Sequence, residues 1–128
     1  MRRVLVYTPD LLFYSQVRGT SEAQGWTAQH LKSKSLPADG VGGDALVIDA
    51  TRDLDAAWAV LEAAKLACPW LVLVCHQHKT MEVADEALRR GATEAVRRGA
   101  LLSRLADRLG GPKRPTDAPF VGRPPEKT

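Results

Sequence analysis

Three short segments of the chain are almost continuously apolar, and each is followed by polar residues. They span residues 3–7, 44–49 and 70–75. A strand with one face in water alternates apolar and polar side chains, whereas a strand covered by helices on both faces is apolar throughout. The pattern therefore predicts buried strands of a parallel sheet, with residues 44–49 as the central strand.

Helical spacing of apolar residues appears between these strands. It predicts helices over about residues 9–24, 53–68, 79–90 and 99–109, and two weaker strands over residues 26–31 and 93–96. The predicted buried positions are Leu12, Phe13, Val17 and Thr20 in the first helix; Leu54, Ala57, Trp58, Leu61 and Ala64 in the second; Met81, Ala84, Ala87 and Leu88 in the third; and Leu101, Leu102 and Leu105 in the last. The elements thus alternate as strand and helix, which is typical of an α/β domain.

The connection between the second and third strands breaks this alternation. Residues 32–43 contain Pro37, three glycines and no apolar periodicity. A parallel crossover is usually a helix, so we expect this helix to be shortened or missing. The glycines could suggest a phosphate-binding loop, but such a loop opens a helix and this one opens a strand.

The start of the first helix carries conventional signals. Thr8 is the predicted cap, Pro9 fits the first helical position, and Asp10 places a negative charge in the first turn. Gly25 is expected to end the helix.

Composition limits the classes of function. The chain has 128 residues, 45% of them apolar, which suits one domain over residues 1–110 followed by a tail, residues 111–128, that holds five of the eight prolines. The net charge of +3 is modest and does not favour nucleic-acid binding. Two cysteines, no apparent signal peptide and no long apolar run predict a reduced, cytoplasmic protein outside the membrane.

Candidate chemistry collects where the strands end, because ligands of parallel sheets bind outside the carboxyl ends of their strands. Asp49 ends the central strand, Cys75 ends the fourth, and His76 and His78 come next. The last three are zinc-type ligands, but no second ligand pair has suitable spacing, so no metal is predicted. No nucleophile and base have a telling spacing, so we expect neither an enzyme nor a cofactor.

The order of these elements resembles a known family. A strand followed directly by a helix, the segment DALVID, and the segment ALRRGATEAVRRGALLSRLADRL are similar to the receiver domain of response regulators over roughly residues 2–109. The resemblance implies a flavodoxin-like, three-layer fold with five parallel strands in the order 2-1-3-4-5. It also implies a phosphoacceptor aspartate, an acidic pair that holds Mg²⁺, a Thr or Ser that ends the fourth strand and a Lys-Pro pair that ends the fifth.

This sequence keeps little of that constellation. Asp49 matches the phosphoacceptor, whereas the acidic pair falls on Thr8 and Pro9, with Asp10 just beyond. Cys75 occupies the Thr or Ser position, and Arg98 occupies the Lys position. Without an anionic pair, the octahedral oxygen shell of Mg²⁺ cannot be completed. The chain therefore resembles a pseudo-receiver, with Asp49 as a vestigial phosphoacceptor whose simplest role is structural.

The expected function is that of a non-catalytic, unphosphorylated module that binds another protein, which includes a second copy of this chain. By resemblance, the candidate interaction face is a set of charged residues on the third helix, fifth strand and last helix: Glu86, Arg89, Arg90, Arg97, Arg104 and Arg108. Such a basic stripe suits an acidic partner, although it is also typical of a solvated helix.

Three alternatives remain open at the level of sequence. One is a small-molecule or nucleotide binder that uses Tyr7, Thr8, Asp49, Thr51 and His76. Another is an atypical response regulator phosphorylated at Asp49. The third is DNA binding by the tail together with the arginines. The pair Arg97 and Arg98 could also bind an anion, although a solvated pair is the simpler interpretation.

Overall fold

The described part of the computed structural model comprises residues 2–33, 35–37, 43–77 and 81–110. Five parallel strands form one sheet in the order β2-β1-β3-β4-β5, as predicted. The strands are β1 (Arg3–Tyr7), β2 (Thr27–His30), β3 (Ala45–Asp49), β4 (Leu71–His76) and β5 (Glu94–Arg97). The helices are α1 (Leu11–Ala23), α2 (Leu54–Ala67), α3 (Met81–Arg89) and α4 (Arg98–Gly110).

The sheet is covered on both faces. Every residue of β3 and β4 is buried, which explains why these segments are continuously apolar. Val47 and Leu73 face a core cluster that includes Phe13 of α1 and Leu105 of α4. The alternate side chains of the same strands face a second cluster, which includes Leu61 of α2. The fold is therefore the three-layer α/β sandwich that the sequence predicts.

The crossover from β2 to β3 contains no helix within its described residues, 31–33, 35–37, 43 and 44. This agrees with the prediction of a shortened or missing helix. The glycine-rich tip, residues 38–42, and the proposed tail, residues 111–128, lie outside the described residues.

The prediction for the start of the first helix was wrong. Asp10, and not Thr8, caps α1: its backbone is extended, and its carboxylate accepts a hydrogen bond from the Phe13 N–H at 3.1 Å. Pro9 lies before the cap and therefore outside the helix. A carboxylate competes well for this position because it adds charge to the hydrogen bond with the first turn. The cap frees the hydroxyl of Thr8 for another partner.

Some predicted core positions were also wrong. Among the predicted apolar faces, the exposed side chains are Leu12 (71% exposed), Leu54, Met81 and Leu88. Helix α1 instead buries a narrow stripe of Phe13, Val17 and Ser21, and α3 buries only Ala84 and Ala87. Each helix touches the sheet along one line, so apolar residues off that line remain in solvent. Trp26 is buried, whereas Trp70 is half-exposed.

Helix ends follow local backbone rules. Gly25 and Gly91 have positive φ after α1 and α3, the conformation in which glycine carries no steric penalty. Cys68, the C-cap of α2, also adopts the left-handed conformation, with φ of 51°. No helix of the described residues is long and apolar enough to cross a bilayer.

Candidate functional site

The sheet brings three of the predicted site residues to one place. β3 lies between β1 and β4, so the carboxyl ends of these strands present Thr8, Asp49 and Cys75 side by side. Asp49 and Cys75 are register partners across β3 and β4. All three residues are buried, and Asp49 is only 1% exposed.

Both carboxylate oxygens of Asp49 accept hydrogen bonds from neighbouring residues. Oδ2 accepts from the Thr8 hydroxyl at 2.6 Å, and Oδ1 accepts from the Thr51 hydroxyl at 2.5 Å and the Thr51 N–H at 3.0 Å. Hydroxyl and N–H donors can compensate a buried carboxylate without a cation. Asp49 is thus held by neutral groups of its own chain.

Thr8 is fixed in turn by the surrounding backbone. Its hydroxyl oxygen accepts from the Asp10 N–H at 3.0 Å while the hydroxyl donates to Asp49. The ring nitrogen Nε2 of His30 donates to the carbonyl oxygen of Thr8 at 2.9 Å, and the His30 ring stacks on Tyr14 with centroids 4.6 Å apart. The β1–α1 loop is therefore positioned by β2 as well as by Asp49.

The sequence reasoning missed His30 as a site residue. The available signal was its place at the end of β2, beside β1, where a parallel sheet gathers its functional groups. The sequence reasoning named Thr51 only within the small-molecule alternative. The Thr51 N–H donates to the carboxylate of Asp49, two residues earlier, which is the geometry of an aspartate turn.

Asp10 and Arg98 form a second polar contact at this edge. An N–H of the Arg98 guanidinium donates to Oδ2 of Asp10 at 2.5 Å, and the guanidinium carbon lies 4.3 Å from the centroid of the Phe13 ring. The hydrogen bond from Arg98, together with that from the Phe13 N–H, holds the pKa of Asp10 below its ordinary value. The prediction that Arg98 is a solvated cation was therefore wrong, because α1 and α4 place a carboxylate beside it.

Cys75 occupies the position at which the resemblance implies a hydroxyl. Its Sγ lies 3.9 Å from Oδ1 of Asp49, farther than the two hydroxyl donors. Burial, and then the charge of Asp49, raise the pKa of this thiol to about 12. It therefore remains a neutral, weak donor at physiological pH.

These donors do not fit the magnesium ion that the resemblance implies. Mg²⁺ takes oxygen ligands in near-octahedral geometry, usually with more than one carboxylate. Asp49 uses both oxygens within the chain, and Asp10 is engaged by Arg98. Within the described ranges, no group of three His, Cys, Asp or Glu side chains is arranged to hold a metal ion. His78, one of the three zinc-type candidates, lies outside those ranges.

The candidate interaction face is less basic than its sequence indicates. Arg89 and Arg90 both pair with Glu86, and Arg104 and Arg108 both pair with Glu94. Arg90 also lies over the ring of Trp58, 5.1 Å from its centroid. Arg97 is exposed and makes no ion pair with any described residue. Asp85 and Asp107 also act on Arg89 and Arg104, so five arginines face four carboxylates and an excess of one positive charge remains.

Comparison with protein-family models gives no match, and comparison with curated proteins gives none either. Solved structures do match. The receiver domain protein from Clostridium thermocellum aligns over 91% of this chain and 99% of its own, with 14% identity and a TM-score of 0.69. The Francisella response regulator 1452 receiver domain aligns over 84% and 92%, with 16% identity and a TM-score of 0.64.

A third match extends over a longer protein. NtrX from Brucella abortus, solved in complex with ADP, aligns over 94% of this chain but only 30% of its own length, with 17% identity and a TM-score of 0.60. At these identities the likeness concerns the fold. The chain thus has the fold of response regulator receiver domains.

Proposed function

We propose that this chain, built on the receiver fold, is a non-catalytic signalling module that acts by contact with another protein and is not switched by phosphorylation at Asp49. The observation that carries the proposal is the engagement of both Asp49 oxygens by Thr8 and Thr51. In a phosphoacceptor, one of these oxygens must be free to attack the donor phosphorus.

The surroundings of Asp49 support the same conclusion. Phosphoryl transfer depends on a cation that neutralises the charge developing on the transferred group. Thr8 and Pro9 supply no anionic oxygen for such a cation, and Arg98 is paired with Asp10. Thr8, Asp49 and Thr51 together form what we call the Asp49 cluster. This cluster is better suited to holding the β1–α1 loop and β3 in one arrangement than to switching between two.

The proposed contact surface consists of Glu86, Arg89, Arg90, Arg97, Arg104 and Arg108, which we call the arginine face. Its ion pairs with Glu86 and Glu94 hold the long arginine side chains in defined positions. Preorganised side chains lose less entropy on binding. The positive excess favours a partner with an acidic surface, and a second copy of this chain is one candidate.

A phosphorylation assay tests the first half of the proposal. The full chain is incubated with Mg²⁺ and a small phosphodonor such as acetyl phosphate, with an active receiver domain as positive control. We expect the intact mass to remain unchanged while the control gains one phosphoryl group. Addition of a phosphoryl group that is lost in the Asp49→Asn variant would refute the proposal.

Charge reversal tests the second half. The double variant Arg90→Glu, Arg104→Glu is compared with Arg18→Glu, a matched reversal on α1. Arg18 is exposed and, among the described residues, pairs with Glu22. Affinity capture from the native cells, and sedimentation for self-association, should show a complex that the double variant loses and Arg18→Glu keeps. Complexes that survive the double reversal would rule out the arginine face as the contact surface.

A further inference from the structure

A cleft of about 570 Å³ opens at the carboxyl edge of the sheet, beside the ends of β4 and β5. His76, Gln77, Arg97, Arg98, Gly99 and Ala100 line it. Its volume lies within the range of small-molecule sites. The Asp49 cluster does not contribute to this lining, so the cleft is a separate feature of the same edge.

Two side chains in the cleft have polar atoms that no described residue engages. His76 and Arg97 are register partners across β4 and β5, so their side chains project from the same face of the sheet. Arg97 makes no ion pair with any residue in the described part of the chain. Arg98, in contrast, is committed to Asp10.

His76 is buried, being only 2% exposed, yet one of its ring nitrogens has no partner in the described residues. Its Nδ1 lies 2.8 Å from the carbonyl oxygen of Gln77, which can only accept, so Nδ1 carries a hydrogen and donates. Nε2 makes no hydrogen bond with a described residue. It is not sealed from solvent, so it is open to a ligand in the cleft.

The third contribution comes from the first turn of α4. This helix begins at Arg98, directly after the last residue of β5, and no side chain of the described residues accepts a hydrogen bond from Gly99 or Ala100. By comparison, Asp10 and Asp53 cap α1 and α2. The exposed N–H groups and the helix dipole favour an anion at this end.

We propose that this cleft binds the phosphate group of a small molecule, held by the Arg97 guanidinium, by Nε2 of His76 and by the N–H groups of Gly99 and Ala100. A phosphate offers oxygens in several directions, and its hydroxyl can donate. It therefore suits the Arg97 guanidinium, the N–H groups of the helix start and the Nε2 acceptor together. With the hydrogen on Nδ1, Nε2 accepts a hydrogen bond from the P–OH of a hydrogen phosphate. No covalent step is involved, and the site does not depend on the proposed protein contact.

The test is a titration of the ¹⁵N-labelled full chain with inorganic phosphate and, in a second arm, with glycerol phosphate, at constant ionic strength. Saturating shifts confined to the amides of residues 97–100 are expected in at least one arm. Tighter binding of glycerol phosphate assigns the site to phosphate esters, and tighter binding of inorganic phosphate assigns it to the free ion.

Matched variants decide whether binding is specific. Arg97→Gln should weaken binding about tenfold, the loss expected for one charge-assisted contact. Arg18→Gln, which removes an exposed arginine of α1, should leave it unchanged. His76→Gln should also weaken binding, but since His76 is buried, the surface variant at Arg97 carries the test.

Three results would overturn the proposal. They are the absence of saturation up to about 10 mM of either probe, shifts scattered over the surface, and equal affinity in Arg97→Gln and the wild-type protein. Asp49→Asn should bind phosphate normally, and a loss of binding there would instead assign the anion to the Asp49 cluster. The phosphorylation assay described for Asp49 is read by mass and is independent of these shifts.

Discussion

Replacement of Asp49 by alanine separates a structural carboxylate from a catalytic one by the sign of its effect on stability. In a cluster of carboxylates, removing one relieves repulsion between like charges and stabilises the fold. Asp49 instead receives hydrogen bonds from the Thr8 hydroxyl and from the hydroxyl and N–H of Thr51. We therefore expect Asp49→Ala to destabilise the protein.

The contacts of Asp49 determine how much stability the Asp49→Ala variant should lose. A hydrogen bond to a charged group contributes roughly 1.5–3 kcal/mol net. Thr51 is partly exposed and can turn to water, whereas Thr8 is buried and would keep an unsatisfied hydroxyl. Part of the cost is recovered because a buried charge is removed. A decrease of about 3 kcal/mol in the free energy of unfolding is the expected result.

Urea unfolding, followed by tryptophan fluorescence and circular dichroism, measures this change. Thr8→Val should cost about 2 kcal/mol, and the double variant should cost less than the sum of the two, because both single changes remove the same bond. Asp85→Ala, an exposed aspartate on α3, is the control and should stay within about 0.5 kcal/mol of wild type. An Asp49→Ala variant as stable as wild type, or more stable, would refute the reasoning.

Three further predictions concern other parts of the fold. Cys68→Gly should stabilise the protein by about 1 kcal/mol in the same assay, since Cys68 holds the left-handed conformation that glycine adopts without strain; a loss of stability would contradict this. In the native protein a thiol reagent should modify exposed Cys68 rapidly and Cys75 only after unfolding, because burial raises the pKa of Cys75 to about 12; equal rates would be inconsistent with its burial. The hydrogen bond from Arg104 lowers the pKa of Glu94 from its ordinary 4.5, so this ion pair stabilises the folded chain above pH 4.5 and is lost as the pH falls through the folded value. Glu94→Gln should thus be less stable than wild type at pH 7, by less than about 1 kcal/mol after solvent screening, with a difference that closes in acid; a gap independent of pH would argue against the pair.

Much of the candidate site could be placed from sequence, but its contacts could not. Asp49 and Cys75 follow apolar runs, so their position at the carboxyl edge follows from the parallel sheet. One hydrogen-bond donor to Asp49 is the hydroxyl of Thr8, which lies 41 residues away along the chain. The helix-cap rule assigned the Thr8 hydroxyl to the helix because local patterns carry no information about such a distant competitor.

The arginines illustrate the same limit. The resemblance to receiver domains placed Arg97, Arg104 and Arg108 on one surface, and the structure has them on β5 and α4. The sequence could not indicate that Glu94 of β5 would pair with two of them. Nor could it indicate that Asp10, 88 residues away along the chain, would pair with Arg98. Ion pairs between elements depend on how the helices cross the sheet, and residue periodicity does not specify that geometry.

The sequence by itself determined the layers of this protein, because continuous apolar strands must be covered on both faces and the interrupted segment before β3 cannot form a full helix. It also has Thr8 and Pro9, neither of them acidic, where the resemblance implies an acidic pair. Only the tertiary structure decided which groups Asp49 contacts. Hydrogen bonds act over about 3 Å, and only packing brings groups from separate strands within that distance.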